Sequence, residues 1–269
     1  MGTIGPRGPD ATTPTKAILE KMKKFMILVC AAACALPLCA AAADVSVTAD
    51  VLSAYDWRGQ VINDEPVLQP SIDIAAPLGF GFNLWGNMDL TDNYADNGAW
   101  KWSEWDFEAN WTVPMGEDAP VDVTFAGVYY VYPQDENADG DYDLYAKVKG
   151  NCLLEPSIRA VHSLHHPSDW RLEFGIGHSF SLVDALTLGL GAKVCYAFDD
   201  WMDRQYGADA GFNDVELKAN LDFAVTDAWS VGALVGYTSL LDGDARDAVD
   251  EADGHKDYVY GGVTTTYSF

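Results

Sequence analysis

The sequence has 269 residues, with 16 lysines and arginines against 41 aspartates and glutamates, and its formal net charge at pH 7 is −25. So large an excess of acid excludes nucleic acid as a partner, because the two polyanions repel each other.

The first 43 residues are typical of a leader rather than of a fold. Residues 1–21 show no periodicity and precede the start that we expect at Met22. Residues 22–43 contain two lysines, an apolar run too short to span a bilayer and an Ala-Ala-Ala ending, which predicts a secretory signal peptide. A lipoprotein anchor on Cys39 is the alternative, although Leu38 before it is larger than the small residue that such a site usually has.

The remaining chain, residues 44–269, suits a single β domain. Removal of the five basic and two acidic residues of the leader leaves 11 basic and 39 acidic residues, a net charge of −28. Cys152 and Cys195 are the cysteines that stay, too few for a disulfide scaffold, and we expect both to be unpaired. No later apolar run approaches the roughly 20 residues of a membrane helix. Any membrane crossing must therefore use strands.

Segments that alternate apolar and polar residues follow one another from Asp44 to the end of the chain. This period of two predicts strands with one apolar and one polar face, and no helical period of useful length is present. We predict an all-β fold of about twelve antiparallel strands, at residues 45–57, 67–76, 80–90, 102–113, 120–132, 141–149, 153–163, 169–180, 186–198, 212–225, 228–240 and 257–269.

The connections between these strands alternate in length. Short turns are expected at 77–79, 114–119, 150–152, 181–185 and 226–227, and longer polar loops at 58–66, 91–101, 133–140, 164–168, 199–211 and 241–256. An even strand number with short turns on one rim and long loops on the other is typical of a transmembrane barrel of the Gram-negative outer membrane. A soluble β-sandwich, the alternative, gives no reason for loops to be sorted in this way. We predict a transmembrane β-barrel with short periplasmic turns and longer acidic outer loops.

Aromatic residues on the apolar faces cluster near the strand ends, which predicts two interfacial girdles. Toward the short-turn rim these are Trp111, Phe180, Phe223, Trp229, Tyr267 and Phe269; toward the long-loop rim they are Tyr55, Trp57, Trp170, Tyr196, Phe198 and Tyr237.

The last strand ends with the chain, at Phe269. A free edge strand is open to pairing with other chains, whereas barrel closure removes the edge. The ending resembles the C-terminal strand of bacterial outer-membrane barrels, and this resemblance marks Tyr267 and Phe269 as an assembly signal. We expect a bacterial outer-membrane location, reached through the general secretion route, with the lipid bilayer, lipopolysaccharide and the outer-membrane assembly machinery as partners.

One stretch near the front resembles the opening of the Gcw_chp family of uncharacterised bacterial outer-membrane proteins. The matching residues are Ser53, Tyr55, Arg58, Gly59, Pro66 and Gln69. The resemblance implies an outer-membrane barrel and no settled activity. We expect Arg58 at the barrel mouth beside Asp56, Asp64 and Glu65, where a clasp for the first outer loop is favoured over a substrate-binding role.

The polar faces of the strands carry many charges, which a barrel places in its lumen. The candidates are Glu104, Asp106, Glu108, Lys147, Lys149, Arg159, Arg171, Glu173, Lys193, Glu216 and Lys218. Because acids outnumber bases, we predict a porin-like passive channel for small solutes that prefers cations. Two alternatives are a plugged structural or binding barrel that acts through its outer loops, and an outer-membrane lipid-modifying enzyme.

Neither a cofactor nor catalysis has a complete motif. Asp135, Asn137, Asp139, Asp141 and Asp143 resemble the front half of a calcium loop, so Ca²⁺ or Mg²⁺ at the outer loops is a hypothesis, although Ala146 stands where the bidentate Glu is required. An enzyme would have to use the histidines and serines around one outer loop, which lack a nucleophile motif. These are His162, His165, His166, His178, Ser163, Ser168 and Ser179. We therefore expect no enzyme.

Overall fold

The computed structural model describes residues 43–92, 98–134, 140–166 and 168–269. The predicted signal peptide up to residue 42, with the alternative anchor at Cys39, lies outside the described residues. So do Asp135, Asn137 and Asp139 of the predicted calcium loop.

Twelve strands form one closed antiparallel barrel, in which each strand pairs with the next barrel strand along the chain and the last pairs with the first. This confirms the predicted fold class and strand number. The barrel strands are β1 (Asp44–Leu52), β4 (Val67–Ala75), β5 (Phe80–Asp89), β6 (Lys101–Thr112), β7 (Val121–Val131), β8 (Asp141–Gly150), β9 (Ser157–Ser163), β10 (Trp170–Val183), β11 (Leu186–Ala197), β12 (Gly211–Ala224), β13 (Trp229–Leu240) and β14 (Asp257–Ser268).

Closure is made by the first and last strands. The pairing of β1 with β14 runs from Ser46 opposite Ser268 to Leu52 opposite Gly262. Beyond it, the backbone N–H of Phe269 donates to the carbonyl of Val45 at 2.9 Å. The terminal strand therefore has no free edge, as its alternation predicted.

The two faces of each strand differ in chemistry. On β12 the side chains of Leu217, Leu221 and Phe223 point outward and are exposed, while Glu216 and Lys218 point inward. An outward apolar band around a polar interior is the arrangement of a transmembrane barrel. None of the helices in the described chain is long and apolar enough to cross a bilayer.

Aromatic rings mark the rims of the outer surface. Near the short turns, Trp111 stacks between Phe80 and Phe125, with ring centroids 6.4 and 6.5 Å away. Near the long loops, Tyr196 contacts Phe198 and Phe212 edge-on at 5.4 and 5.5 Å. The girdle assignment is wrong for Tyr55 and Trp57, which lie inside the barrel.

Some predicted strand boundaries are wrong. The ninth strand begins at Ser157 rather than at residue 153, because Leu154 and Glu155 have φ values of 67° and 38° and Pro156 follows them. The tenth continues to Val183, which shortens the following turn to two residues.

The first predicted strand also stops earlier than expected, at Leu52, and the chain then turns into the barrel. Strands β2 (Tyr55–Trp57) and β3 (Gln60–Asn63) pair as a small hairpin of their own. We call residues 53–66 the inward hairpin. Its two turn residues, Arg58 and Gly59, have φ values of 57° and 83°, as a type I′ turn requires.

Two short helices lie in outer loops for which no helix was predicted. They are α1 (Asp199–Tyr206) and α2 (Gly243–Glu251). Trp201 and Met202 of α1 have no exposed surface and pack with Ala245 of α2. The expectation of helix-free loops at 199–211 and 241–256 is therefore wrong.

Candidate functional site: the barrel lumen

The six predicted lumen bases all lie on β8 to β12, so they share one side of the barrel. Five of them form ion pairs, three of these with Glu173 and Glu216. Arg159 lies 2.6 Å from the Glu173 carboxylate, and Lys193 and Lys218 lie 2.8 and 2.5 Å from the two carboxylate oxygens of Glu216. These pairs neutralise much of the positive charge on that side.

A second cluster joins the inward hairpin to the same wall. The Asp143 carboxylate is 3.0 Å from the Arg58 guanidinium and 3.1 Å from that of Arg171. The Tyr130 hydroxyl lies 3.3 Å from both Arg58 and Asp143. Arg58 also stacks on the Trp57 ring, 4.1 Å from its centroid. Arg58 therefore fastens the hairpin tip to β7 and β8.

The opposite side of the lumen carries an acidic strip on β6, formed by Glu104, Asp106 and Glu108. Tyr55 donates to Glu104 at 2.6 Å, and Tyr145 donates to Glu108 at 2.8 Å. Asp106 shares a hydrogen bond with Glu104. Within the described part of the chain, none of the three acids forms an ion pair.

A polar cavity of about 270 Å³ lies between the two walls. One side is lined by Asn83, Asp106 and Glu108 and the other by Arg159, Glu173, Lys193, Glu216 and Lys218, with Asp56, Trp57 and Arg58 of the inward hairpin between them. A small polar solute in this space would meet carboxylates on one side and ion-paired bases on the other.

The lumen is packed near the long-loop rim and more open near the short turns. In the packed part, Asn63 donates to Asp89 at 2.7 Å and Gln69 donates to Asn87 at 2.9 Å. Val67 and Asn213 have no exposed surface there. Toward the short turns, inward side chains such as Asp73 and Asn220 are exposed. The inward hairpin thus narrows the outer half of the barrel.

The expected grouping at the barrel mouth is wrong. Arg58 does not pair with the acids near it in sequence but with Asp143, because the hairpin carries it into the lumen. Asp56 also lines the lumen cavity. Asp64 lies 3.2 Å from His255 of a different outer loop, and the Glu65 backbone N–H donates to Asn63.

The remaining predicted residues are scattered. Lys149 lies at the short-turn end of β8, 3.4 Å from Glu155, and Lys147 is on the inner face of the same strand. Tyr267 and Phe269 contact each other on the outside, with ring centroids 4.9 Å apart. Asp143 is occupied by two arginines, and Asp141 lies 2.8 Å from His165.

The candidate enzyme residues do not gather at one place. His162 stacks outward on Trp170 at 4.2 Å. His178 contacts Phe180 further along β10, roughly 26 Å from Trp170 at the usual rise of a strand. The Ser163 hydroxyl accepts from the backbone N–H of His166. Cys152 is exposed and Cys195 is buried, and both are free, which confirms that prediction.

Several lumen residues were missed by the sequence analysis. Tyrosine hydroxyls bind the lumen carboxylates, including Tyr260, which donates to Glu216 at 2.9 Å. Asn213 donates to the Arg58 carbonyl at 3.0 Å and holds the hairpin from β12. Position on a polar strand face was a usable signal for Tyr260. Nothing local in the sequence indicates that Asn213 meets a turn 155 residues away.

Several solved structures resemble this chain, and one of them, at a TM-score of 0.50, supports the barrel fold. The KdgM porin in complex with disordered oligogalacturonate is 11% identical, with 84% of this chain and 99% of that chain covered and a TM-score of 0.50. The NanC porin is 10% identical, with 83% and 98% covered and a TM-score of 0.49. The outer membrane channel DcaP of Acinetobacter baumannii is 9% identical, with 84% and 96% covered and a TM-score of 0.41. At such identities the likeness concerns the fold alone.

Comparison with protein families gives a more specific result. No curated protein sequence matches the chain at a significant level. The family model described as "MltA-interacting protein MipA" matches residues 45–269. The expected relation to an outer-membrane barrel family is confirmed, whereas the Gcw_chp membership stays a prediction. Because the match covers the whole barrel, the chain belongs to the MipA family.

Proposed function

We propose that this protein is a passive channel of the bacterial outer membrane for small polar solutes, with a preference for cations. A closed barrel with an apolar outer band spans a membrane through its strands. Export through the general secretion route and insertion by the outer-membrane assembly machinery, next to lipopolysaccharide, belong to the same proposal. We assign no catalytic step and no cofactor to the lumen.

The acidic strip on β6 carries the proposed selectivity. The lumen bases on the other wall share the carboxylates of Asp143, Glu173 and Glu216, so part of their positive charge is neutralised. Glu104 and Glu108 accept from neutral groups, and Asp106 shares a hydrogen bond with Glu104. In a narrow lumen with low-dielectric walls, unpaired carboxylates attract cations and repel anions.

Reversal potentials in planar bilayers under a salt gradient test this proposal. The purified barrel should give single-channel currents whose reversal potential reports cation preference. The triple variant E104Q/D106Q/E108Q should shift that potential toward zero. A matched triple variant at the periplasmic turns, E117Q/D118N/D184N, removes three acids outside the lumen and should leave the potential near the wild-type value. Anion preference, or equal potentials in the wild type and the lumen triple variant, would show that β6 does not set selectivity.

A second candidate function is a plugged barrel that binds a partner. The packing of the inward hairpin and α1 in the outer half of the lumen favours it. The family description names a protein that interacts with MltA, which gives partner binding a second ground. A barrel that assembles normally but gives no current, even after the hairpin is loosened by substitution, would favour this function over a channel.

A further inference from the structure

Three potential metal ligands meet at the outer rim, outside the lumen site. They are Asp141 at the start of β8 and His165 and His166 in the β9–β10 loop, and their ligand atoms all lie within 4.8 Å of one another. The Asp141 carboxylate is 2.8 Å from His165 Nδ1. The two imidazole rings stack in parallel, with centroids 4.8 Å apart and an angle of 8° between them.

The backbone holds these ligands in place without a metal. Leu164 donates its N–H to the Tyr142 carbonyl at 2.7 Å, which ties the histidine loop to the strand that bears Asp141. His166 donates its backbone N–H to the Ser163 hydroxyl and accepts from the N–H of Asp169. Main-chain contacts therefore fix the backbone at Leu164 and His166, which lowers the entropic cost of assembling a metal site.

The position of Asp141 is set by the residue before it. Gly140 has a φ of 76°, and a Cβ atom there would lie 2.7 Å from the Tyr130 carbonyl oxygen. Glycine is the residue that allows this close approach. Its own carbonyl oxygen lies 3.3 Å from His165 Nδ1, so a further oxygen borders the cluster.

We propose that Asp141, His165 and His166 bind a divalent transition metal ion of the Zn²⁺ type. Two imidazoles and one carboxylate are the donor set of open zinc sites, and they favour Zn²⁺ over Ca²⁺ or Mg²⁺, which prefer oxygen ligands alone. The bound ion would join β8 to the β9–β10 loop. Asp169 in that loop forms an ion pair with Arg204 of α1, so the ion would also steady α1.

Calorimetric titration of the full-length refolded barrel with Zn²⁺, prepared without a histidine tag, tests the proposal. We expect one ion per chain with micromolar affinity. The double variant H165A/H166A should lose at least about tenfold in affinity, and D141N should weaken binding less. The control variant H178A/H255A removes two histidines from other places and should bind Zn²⁺ like the wild type.

The fold of each variant is checked by its shift in gel mobility on boiling, since loss of a site counts only in an assembled barrel. A conservative pair, H165Q/H166Q, replaces the double alanine variant if that one fails to assemble. Wild-type affinity in the assembled double variant would overturn the proposal. Displacement of Zn²⁺ by millimolar Ca²⁺ would also overturn it, because it would indicate an oxygen site elsewhere.

Discussion

Arg58 combines a strained backbone with a buried ion pair. Its φ of 57° is unusual for a residue with a side chain, and its guanidinium contacts Asp143 and Tyr130. Removing one partner of a buried pair costs about 3–5 kcal/mol. Because Arg171 still faces Asp143 in an R58Q variant, we expect the unfolding free energy to fall by about 3 kcal/mol, at the low end of this range. Urea unfolding in lipid vesicles measures this loss.

The matched control is K149Q, which breaks a half-exposed pair with Glu155. Exposed pairs contribute about 0–1 kcal/mol, so this variant should unfold close to the wild type. Equal urea midpoints for R58Q and K149Q would mean that the Arg58 contacts do not stabilise the barrel.

Asp56 makes the lumen sensitive to pH. It lies on the inward hairpin rather than on a barrel strand, and burial raises its pKa to about 7, with Glu216 and Asp214 adding to the effect. Lys193 and Lys218 oppose it. The folded state thus keeps a proton that the unfolded chain loses near pH 4, so this group's contribution to stability falls as pH rises from about 4 to about 7.

The same titration should change selectivity. Between about pH 6 and about pH 8 Asp56 becomes charged, which adds a negative charge to the cavity and should increase cation preference in reversal-potential measurements. D56N should lose this pH dependence. An identical pH profile in D56N would show that Asp56 does not titrate in this range.

At the scale of elements, the inward hairpin depends on Gly59. A Cβ atom at this residue would lie 2.6 Å from the Asp214 Cβ atom and 3.0 Å from a Leu240 methyl group. We expect G59A to push the hairpin tip away from β12 and β13 and to raise single-channel conductance at least about twofold, since conductance follows the open cross-section of the pore.

Gly116 provides the control for that experiment. Its φ of 88° gives alanine the same kind of backbone strain, but no atom lies within 4 Å of the added Cβ. G116A should therefore conduct like the wild type. Conductance that stays unchanged in G59A would show that the tip of the hairpin does not restrict the pore.

The hairpin also shows where reasoning from sequence ends. Apolar and polar residues alternate through residues 45–57, but Tyr55 and Trp57 belong to β2, which is not part of the barrel wall. Arg58 and Gly59 could have been recognised as a turn. The turn points inward because it bonds to Asp143 and Asn213. These two residues come close to the turn only when the barrel closes.

The two helices were missed for a different reason. Eight or nine residues give too few turns for a helical period to be distinguished from a polar loop. Local signals were present nonetheless: the Asp242 side chain accepts from the N–H groups of Asp244 and Ala245, and Gly207 ends α1 with a φ of 69°. The helix-capping residues could therefore have predicted these two helices, although their periodicity could not.

At the scale of the whole molecule, architecture was the most predictable property. Strand number, loop sorting and the outward apolar band all follow from a period of two that continues through the chain. The separation of acids on β6 from bases on β8–β12 follows from strand order in the closed barrel. The packing of the outer half of the lumen does not follow from strand order, because it comes from contacts among side chains that are far apart in sequence.

Closure of the barrel predicts a specific role for Phe269. Its N–H bonds to Val45 across the closing pair, and its side chain is 79% exposed on the outside. Deleting Phe269 should lower, by severalfold or more, the fraction of protein that assembles, because the last strand loses both its terminal hydrogen bond and an aromatic anchor at the interface. The measurement is the fraction of outer-membrane protein whose gel mobility shifts on boiling.

F223A removes another exposed aromatic ring near the same rim, away from the closing pair, and should assemble nearly as well as the wild type. If F223A lowers the fraction as much as the deletion does, the effect comes from lost apolar surface in general. Recovery of the wild type in the soluble periplasm, with equal mobility before and after boiling, would contradict the membrane barrel itself.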